Sequence, residues 1–232
     1  MSFYCSLNYS SVQKSDEKIY LNDGNRDVLN LVPTEPCTVL DVGCGGGTLA
    51  SILSKQGYVV DGITISPAEQ QAASAFTRNV FIHNLEDGLP EAVKLNEYDC
   101  VICSHVLEHI VYPRQLISDI HKVLKPGGVF IVALPNLMHY KSRIKLLKGD
   151  FEYADAGIWD YTHVKWYTFK SAQNLLKSFG FQIDQAMVTG QLPFYSVTRK
   201  LLPAGWNKHL FDLLRKISSG LFGYQIIIRA RK

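Results

Sequence analysis

The stretch TVLDVGCGGGTLA, residues 38–50, constrains this chain more than any other. A run of β-branched and apolar residues enters four glycines within five positions, and a helical pattern follows at once. A strand that turns this sharply into a helix leaves unpaired N–H groups at the turn and at the helix N-terminus. Glycines there let a ligand lie directly against the backbone, and the positive end of the helix dipole favours an anionic group. Such a loop needs a sheet to carry it, and the rest of the chain supplies one.

Short apolar runs recur at 38–42, 58–63, 79–83, 98–104 and 128–134, each closed by a turn residue or a polar residue. Their apolar character is continuous rather than alternating, as in strands covered on both faces. Between them lie helical patterns at 48–57, 66–76 and 113–128. The second opens with Ser66 as cap, Pro67 at the first helical position and Glu69 three residues after the cap. The third stops at Pro-Gly-Gly. Strand–helix alternation of this kind implies an α/β, doubly wound, mostly parallel sheet with right-handed crossovers. Further on, a helix over 169–179, a strand over 180–190, an amphipathic helix around 206–219 and a final strand over 224–232 complete the pattern. Residues 1–36 read as an N-terminal arm or lid before a domain spanning 37–232, with acceptor-site insertions at 136–167 and 191–223.

Composition sets limits. With 232 residues, 47% apolar and 19% charged, the chain can bury a substantial core. A net charge of +3 without a basic run leaves no footprint for duplex DNA. The longest apolar runs are too short to span a bilayer, and no secretory signal is read at the N-terminus, so a cytoplasmic location is expected. Cys100 and Cys103 have C-x-x-C spacing, but on a strand they point to opposite faces, which predicts buried thiols rather than a metal site.

The dinucleotide pattern G-x-G-x-x-G, started at Gly43, would need a glycine where Thr48 stands. The chain has instead Asp41-x-Gly43-x-Gly45-x-Gly47. Together with YDCVICSHVLEHIVYPRQLISDIHKVLKPGGVFIVALPN (98–136), this resembles the class I S-adenosylmethionine (SAM)-dependent methyltransferases. The resemblance covers roughly 38–190. It implies a seven-stranded Rossmann-like sheet with an antiparallel last strand and an inserted cap, with SAM as cofactor. Asp41 and the loop Gly43, Cys44, Gly45 and Gly47 would then face the methionine end of SAM, Asp41 near its amino group. The family's ribose-binding acid falls at Thr64, followed by Ile65. Here "GITISPAEQ" resembles the cyclopropane-synthase branch, which implies that Glu69, one turn into the helix, takes the ribose. Asn84 and Leu85 stand where the family contacts adenine, and Ser104 ends the fourth strand beside the cofactor.

Two histidine groups are the catalytic candidates. His105, Glu108 and His109 follow the fourth strand, and Asp160 and His163 lie in the 136–167 insertion. His105 or His163 could act as general base, with Asp160 placed to orient His163. A site without metal is the expectation. The alternative, a divalent cation on His105, Glu108, His109 and His163, rests on resemblance to E-x-x-E-H in RNA-terminal 2′-O-methyltransferases and ubiquinone-pathway O-methyltransferases. The basic stretch 141–149 could bind a phosphate group on a substrate, or serve only as a solvated face.

The pattern of Pro135-Asn136, a Lys/Arg-rich segment, GIWDYTHVKWYT (157–168) and LLKSFGF (175–181) resembles bacterial methyltransferases linked to cell-surface sugars and secondary metabolites. That implies O-methylation of a sugar, glycan precursor or similar small metabolite. Two other readings are a MetW-like partner-binding protein without activity and a metal-assisted RNA-terminal 2′-O-methyltransferase. The amphipathic stretch 205–222 packs over the sheet, or makes a homodimer or membrane-surface contact.

Overall fold

The computed structural model describes residues 24–203 and 205–232. Seven strands form one sheet in the order β3-β2-β1-β4-β5-β7-β6. They are β1 (Thr38–Val42), β2 (Val59–Thr64), β3 (Asn79–Ile82), β4 (Tyr98–Ser104), β5 (Leu124–Pro135), β6 (Gln182–Thr189) and β7 (Gln225–Arg231). The pairs from β3 through β5 are parallel, whereas β7 runs antiparallel to both its neighbours, as the resemblance implied. Strand order reverses between β1 and β4. At such a switch point the carboxyl ends of two strands diverge and leave a crevice for a ligand.

Alternation along the strands builds two cores. Leu40, Val101, Cys103, Phe130 and Val132 pack on one face, and Val39, Cys100, Ile102 and Ile131 on the other. Cys100 and Cys103 therefore lie on opposite faces, both fully buried. The acid within β2, Asp61, is buried against Arg78, Asn79 and the Tyr98 hydroxyl. It is committed to the sheet and points away from the crevice.

The helices are α1 (Arg26–Leu29), α2 (Thr48–Ser54), α3 (Pro67–Ala73), α4 (Glu91–Lys94), α5 (Pro113–Val123), α6 (Tyr140–Leu147), α7 (Phe169–Lys177), α8 (Tyr195–Leu201), α9 (Trp206–Ile217) and α10 (Ser219–Phe222). The α3 cap forms as expected: Ser66 Oγ accepts from the Glu69 N–H and proline stands at the first position. The expected helices over 48–57, 66–76 and 113–128 each end early, the last by the most. The helix expected over 113–128 ends at Val123, and Leu124 is already extended and pairs with Tyr98 as the start of β5. Pro126 disfavours helical backbone at Lys125, so the helix stops before the Pro-Gly-Gly rather than at it. Of the arm expected over 1–36, residues 1–23 lie outside the described residues. From Gly24 onward the chain brings Asn25 to the crevice, and the Asn25 side chain caps α1. Among the described residues, no helix is long and apolar enough to cross a membrane.

Candidate active site

The glycine loop forms the floor of the crevice. Gly43, Gly45 and Gly47 all have positive φ, at 75°, 52° and 81°. Gly47 is the clearest case of need: a Cβ there would sit 2.8 Å from Ala73 Cα, where α2 passes α3. A Cβ on Gly43 would collide with Val106. Above this floor lies a cavity of about 620 Å³.

The structure brings most of the cofactor candidates to that cavity. Gly43, Gly45, Thr64, Ile65 and Glu69 line one end. Asn84, Leu85 and Ser104 line its sides. Thr64 Oγ1 donates to Glu69 Oε2, so a carboxylate from the first turn of α3 reaches the end of β2. Asn84 Oδ1 accepts from the Glu86 N–H and caps a 3-10 turn, which occupies that oxygen.

Three candidates do not line the cavity: Gly47 sits where α2 meets α3, and Cys44 and Asp41 are buried. The Cys44 side chain is buried beneath the loop against Gly62, where a Cβ on the glycine would come within 2.7 Å of Sγ, and Cys44 does not line the cavity. Residue 44 alternates inward between flanking glycines, so any contact from it to a ligand would come through its backbone. Asp41 is also buried, 1% exposed, and among the described residues its Oδ2 has no hydrogen-bond partner. Burial raises its pKa from 3.8 to about 7. A lone carboxylate oxygen behind a glycine loop fits a cationic donor group of a ligand, because pairing would remove the cost of the buried charge.

The far end of the cavity is formed by His105, Val106, His109 and Thr162. His105 follows β4 directly and takes the left-handed region at φ 57°. Both ring nitrogens face oxygens: Nδ1 lies 3.0 Å from Glu108 Oε1 and Nε2 lies 2.6 Å from Gln225 Oε1. Gln225 Oε1 also accepts from Asn25 Nδ2, and its own amide donates to Thr189 Oγ1, which fixes its orientation. Burial works against the charged imidazolium, but the hydrogen bonds to Glu108 and Gln225 outweigh it and raise the His105 pKa. With both nitrogens donating, this His105 has no free lone pair for a proton.

The insertion brings His163 against His109 at this end; His163 is itself buried, and it, Glu108 and Asp160 lie outside the cavity lining. Val164 and Lys165 N–H groups donate to the Glu108 carbonyl, and the His109 and His163 rings meet edge-on at 4.8 Å. Ligand atoms of Glu108, His109 and His163 lie within 4.8 Å of one another. His163 Nδ1 is held by the Ile158 carbonyl and His109 Nδ1 by the Thr162 carbonyl. That assigns the proton to Nδ1 in each ring and leaves both Nε2 lone pairs available. Glu108 is fully buried, and among the described residues its Oε2 has no partner. Asp160 accepts from the N–H and hydroxyl of Thr162. His163 is therefore oriented by main chain, and Asp160 acts one residue away. Asn25 and Gln225, which tie His105 in place, were not singled out from sequence; they stand 200 positions apart and carry no local motif.

A doubly wound sheet with a glycine loop at its switch point and an antiparallel final strand defines the class I SAM-dependent methyltransferase fold. A SAM-dependent methyltransferase from Archaeoglobus fulgidus superposes with TM-score 0.63 at 20% identity, covering 89% of this chain and 90% of that one. Magnesium protoporphyrin IX methyltransferase from Synechocystis PCC 6803, solved with bound SAH, superposes with TM-score 0.56 at 18% identity, covering 89% and 80%. The family model described as a methyltransferase domain matches residues 18–186, and the chain belongs to that family. Among curated relatives, the ubiquinone biosynthesis O-methyltransferase of Rickettsia canadensis is 35% identical over 102 residues, 43% of each chain. That of Pasteurella multocida is 33% identical over 111 residues, 42% of this chain and 46% of the relative. The chain thus spans less than half the length of the curated relatives it matches.

Proposed function

We propose that this chain is a SAM-dependent methyltransferase whose acceptor is a hydroxyl of a small molecule. One observation carries the reading. A single cavity has the glycine loop and the Thr64–Glu69 pair at one end, and His109 and Thr162 at the other. The residues present fit the cofactor: Asp41 Oδ2 lacks a partner and suits an ammonium group, and Glu69 suits ribose hydroxyls. When bound, SAM supplies an electrophilic methyl group on a sulfonium. The chain's own task is to hold a nucleophile near contact distance, exclude water and receive a proton.

His163 is the better proton acceptor of the two histidines proposed from sequence. Its Nδ1 is fixed by a backbone carbonyl, so Nε2 presents a lone pair, whereas both nitrogens of His105 are engaged. His105 acts instead as a positioning residue that joins Glu108 to Gln225. The acceptor is read as a hydroxyl because the relatives are named O-methyltransferases of ubiquinone biosynthesis. The resemblance of the later segment to enzymes of glycans and secondary metabolites also implies O-methylation.

A second reading is favoured by the unpartnered Oε2 of Glu108. Glu108, His109 and His163 each offer one ligand atom to a three-ligand set for a divalent cation, which would acidify a bound hydroxyl. His105 would then support Glu108 from its other oxygen rather than join as a fourth ligand.

Calorimetric titration with SAM and SAH tests the cofactor, and transfer of labelled methyl groups into candidate hydroxyl compounds tests the reaction. Failure to bind either would favour the partner-protein reading. His163→Ala should lower kcat far more than KM for the acceptor; unchanged kcat removes His163 from the chemistry. Cobalt(II) titration separates the two readings. Visible absorption bands lost in Glu108→Gln support a cation site, and no bands leave His163 as base.

A further inference from the structure

Beside the cofactor cavity, on the other side of Gln225, runs a larger groove of about 1080 Å³ between α6 and the segment leading into α8. Its walls carry Tyr140, Ile144, Tyr195 and Tyr224, an apolar and ring-rich lining. Lys141 and Arg199 stand on opposite sides, and among the described residues neither has an ion-pair or hydrogen-bond partner. The two other cations of α6 are committed: Arg143 donates to the Met138 carbonyl, and Lys145 to the Glu152 carbonyl and to Asp150 at 3.6 Å. Arg199 and Tyr195 also border an adjoining hollow of about 570 Å³, which extends the groove past Arg199 toward Lys208. Asp27 is the acid among the lining residues. His139, 4% exposed, lines the floor with Nδ1 unpartnered. Burial, reinforced by Lys141, pushes its pKa down to about 4, so at neutral pH it is an uncharged hydrogen-bonding group.

We infer that this groove is the acceptor subsite, and that it takes an amphiphilic small molecule carrying an anionic group, phosphate or carboxylate, on an apolar or ring-containing body. The charge logic is direct. Two unpaired cations flanking an apolar trough favour an anion whose body replaces water on the walls, and a guanidinium binds a phosphate or carboxylate through paired hydrogen bonds. Gln225 connects the groove to the reacting end, because it lines the groove while bonding to His105 and Asn25 of the cofactor cavity. The basic stretch 141–149 thus divides its work: Lys145 braces the insertion, and Lys141 faces a ligand. The proposal rests on the methyl-transfer reading, since it assigns the anion to that reaction's acceptor.

The test uses the full chain with SAH present and two amphiphiles of equal tail length below their micelle concentrations, decyl phosphate and uncharged decyl glucoside. Calorimetry should show decyl phosphate binding about tenfold or more tightly than the glucoside. The double variant Lys141→Gln/Arg199→Gln should erase that preference and keep the wild-type affinity for SAH. Equal binding of the two amphiphiles, no binding of decyl phosphate, or a preference that survives the double variant would overturn the assignment. Should the variant fail to fold, photolabelling of the wild-type chain with 4-azidophenyl phosphate decides: adducts within 139–144 or 191–199 support the groove, and labelling elsewhere rejects it. A wild-type chain that binds no SAH would overturn the methyl-transfer reading. A charge-blind groove overturns the anionic acceptor alone.

Discussion

Replacing Asp41 by asparagine should stabilise the ligand-free protein while impairing its cofactor binding, and the two effects come from one atom. Asp41 is 1% exposed with an unpartnered oxygen, and burial lifts its pKa from 3.8 to about 7. Below pH 4 the folded and unfolded chains both hold the proton, so the group costs nothing. Between pH 4 and 7 the unfolded chain releases it and the folded chain keeps it, so stability falls as pH rises. Above pH 7 the full penalty applies, and a shift of this size corresponds to about 4 kcal/mol. Asparagine keeps the shape and has no charge to bury. Urea unfolding at a series of pH values should therefore give similar stabilities for the two proteins near pH 4.5. The asparagine variant should gain an advantage that grows to several kcal/mol by pH 8. Other titrating groups cancel in the difference. Adding SAM should reverse the order at pH 8, because only the carboxylate gains an ion pair with an ammonium group. A stability difference that does not change with pH, or a variant weaker than wild type at pH 8 without ligand, would refute the account of Asp41 as an unpaired buried acid.

Glu69→Ala should weaken SAM binding by about tenfold or more, as expected for losing a charged hydrogen-bond acceptor, and calorimetry showing unchanged affinity would move the ribose contact elsewhere. Gly47→Ala should destabilise the fold by roughly 1–3 kcal/mol from backbone strain alone, because its φ is 81° and the new Cβ would meet Ala73 Cα at 2.8 Å; a melting temperature equal to wild type would contradict the close approach of α2 and α3. Glu108→Gln should lower the His105 pKa, which its hydrogen bond raises. The stabilisation by His105⁺ is present below the ordinary histidine value of 6.5 and lost as pH rises through the higher folded value, so wild type should exceed the variant at pH 6 and lose that margin in alkali. Imidazole NMR titration checks this directly, and an unmoved His105 resonance would discard the pair.

Much of the site was legible because the relevant contacts are local. The cap at Ser66 put Glu69 in the first turn of α3, and a turn of helix is the distance needed to bring its carboxylate to Thr64. The grouping of Glu108 with His109 was likewise a matter of spacing. The partners of the remaining groups were not legible. Asp160 lies three residues before His163, a spacing that suggested a pair, yet the intervening Thr162 captures the carboxylate. His105 looked like a base from its place after β4, and its loss of a free lone pair depends on Gln225, 120 residues away.

By itself the sequence determined the sheet, the glycine loop at its switch point and the kind of cofactor such a loop suits, because alternation, capping and turn residues act over a few positions. Tertiary structure alone decided which histidine keeps a lone pair, that His105 stands apart from the Glu108, His109 and His163 set, and that Lys141 and Arg199 flank one groove across the face of the fold. Those relations depend on how separate loops meet over the carboxyl ends of the strands. Packing between distant segments fixes that meeting, and no short-range pattern encodes it.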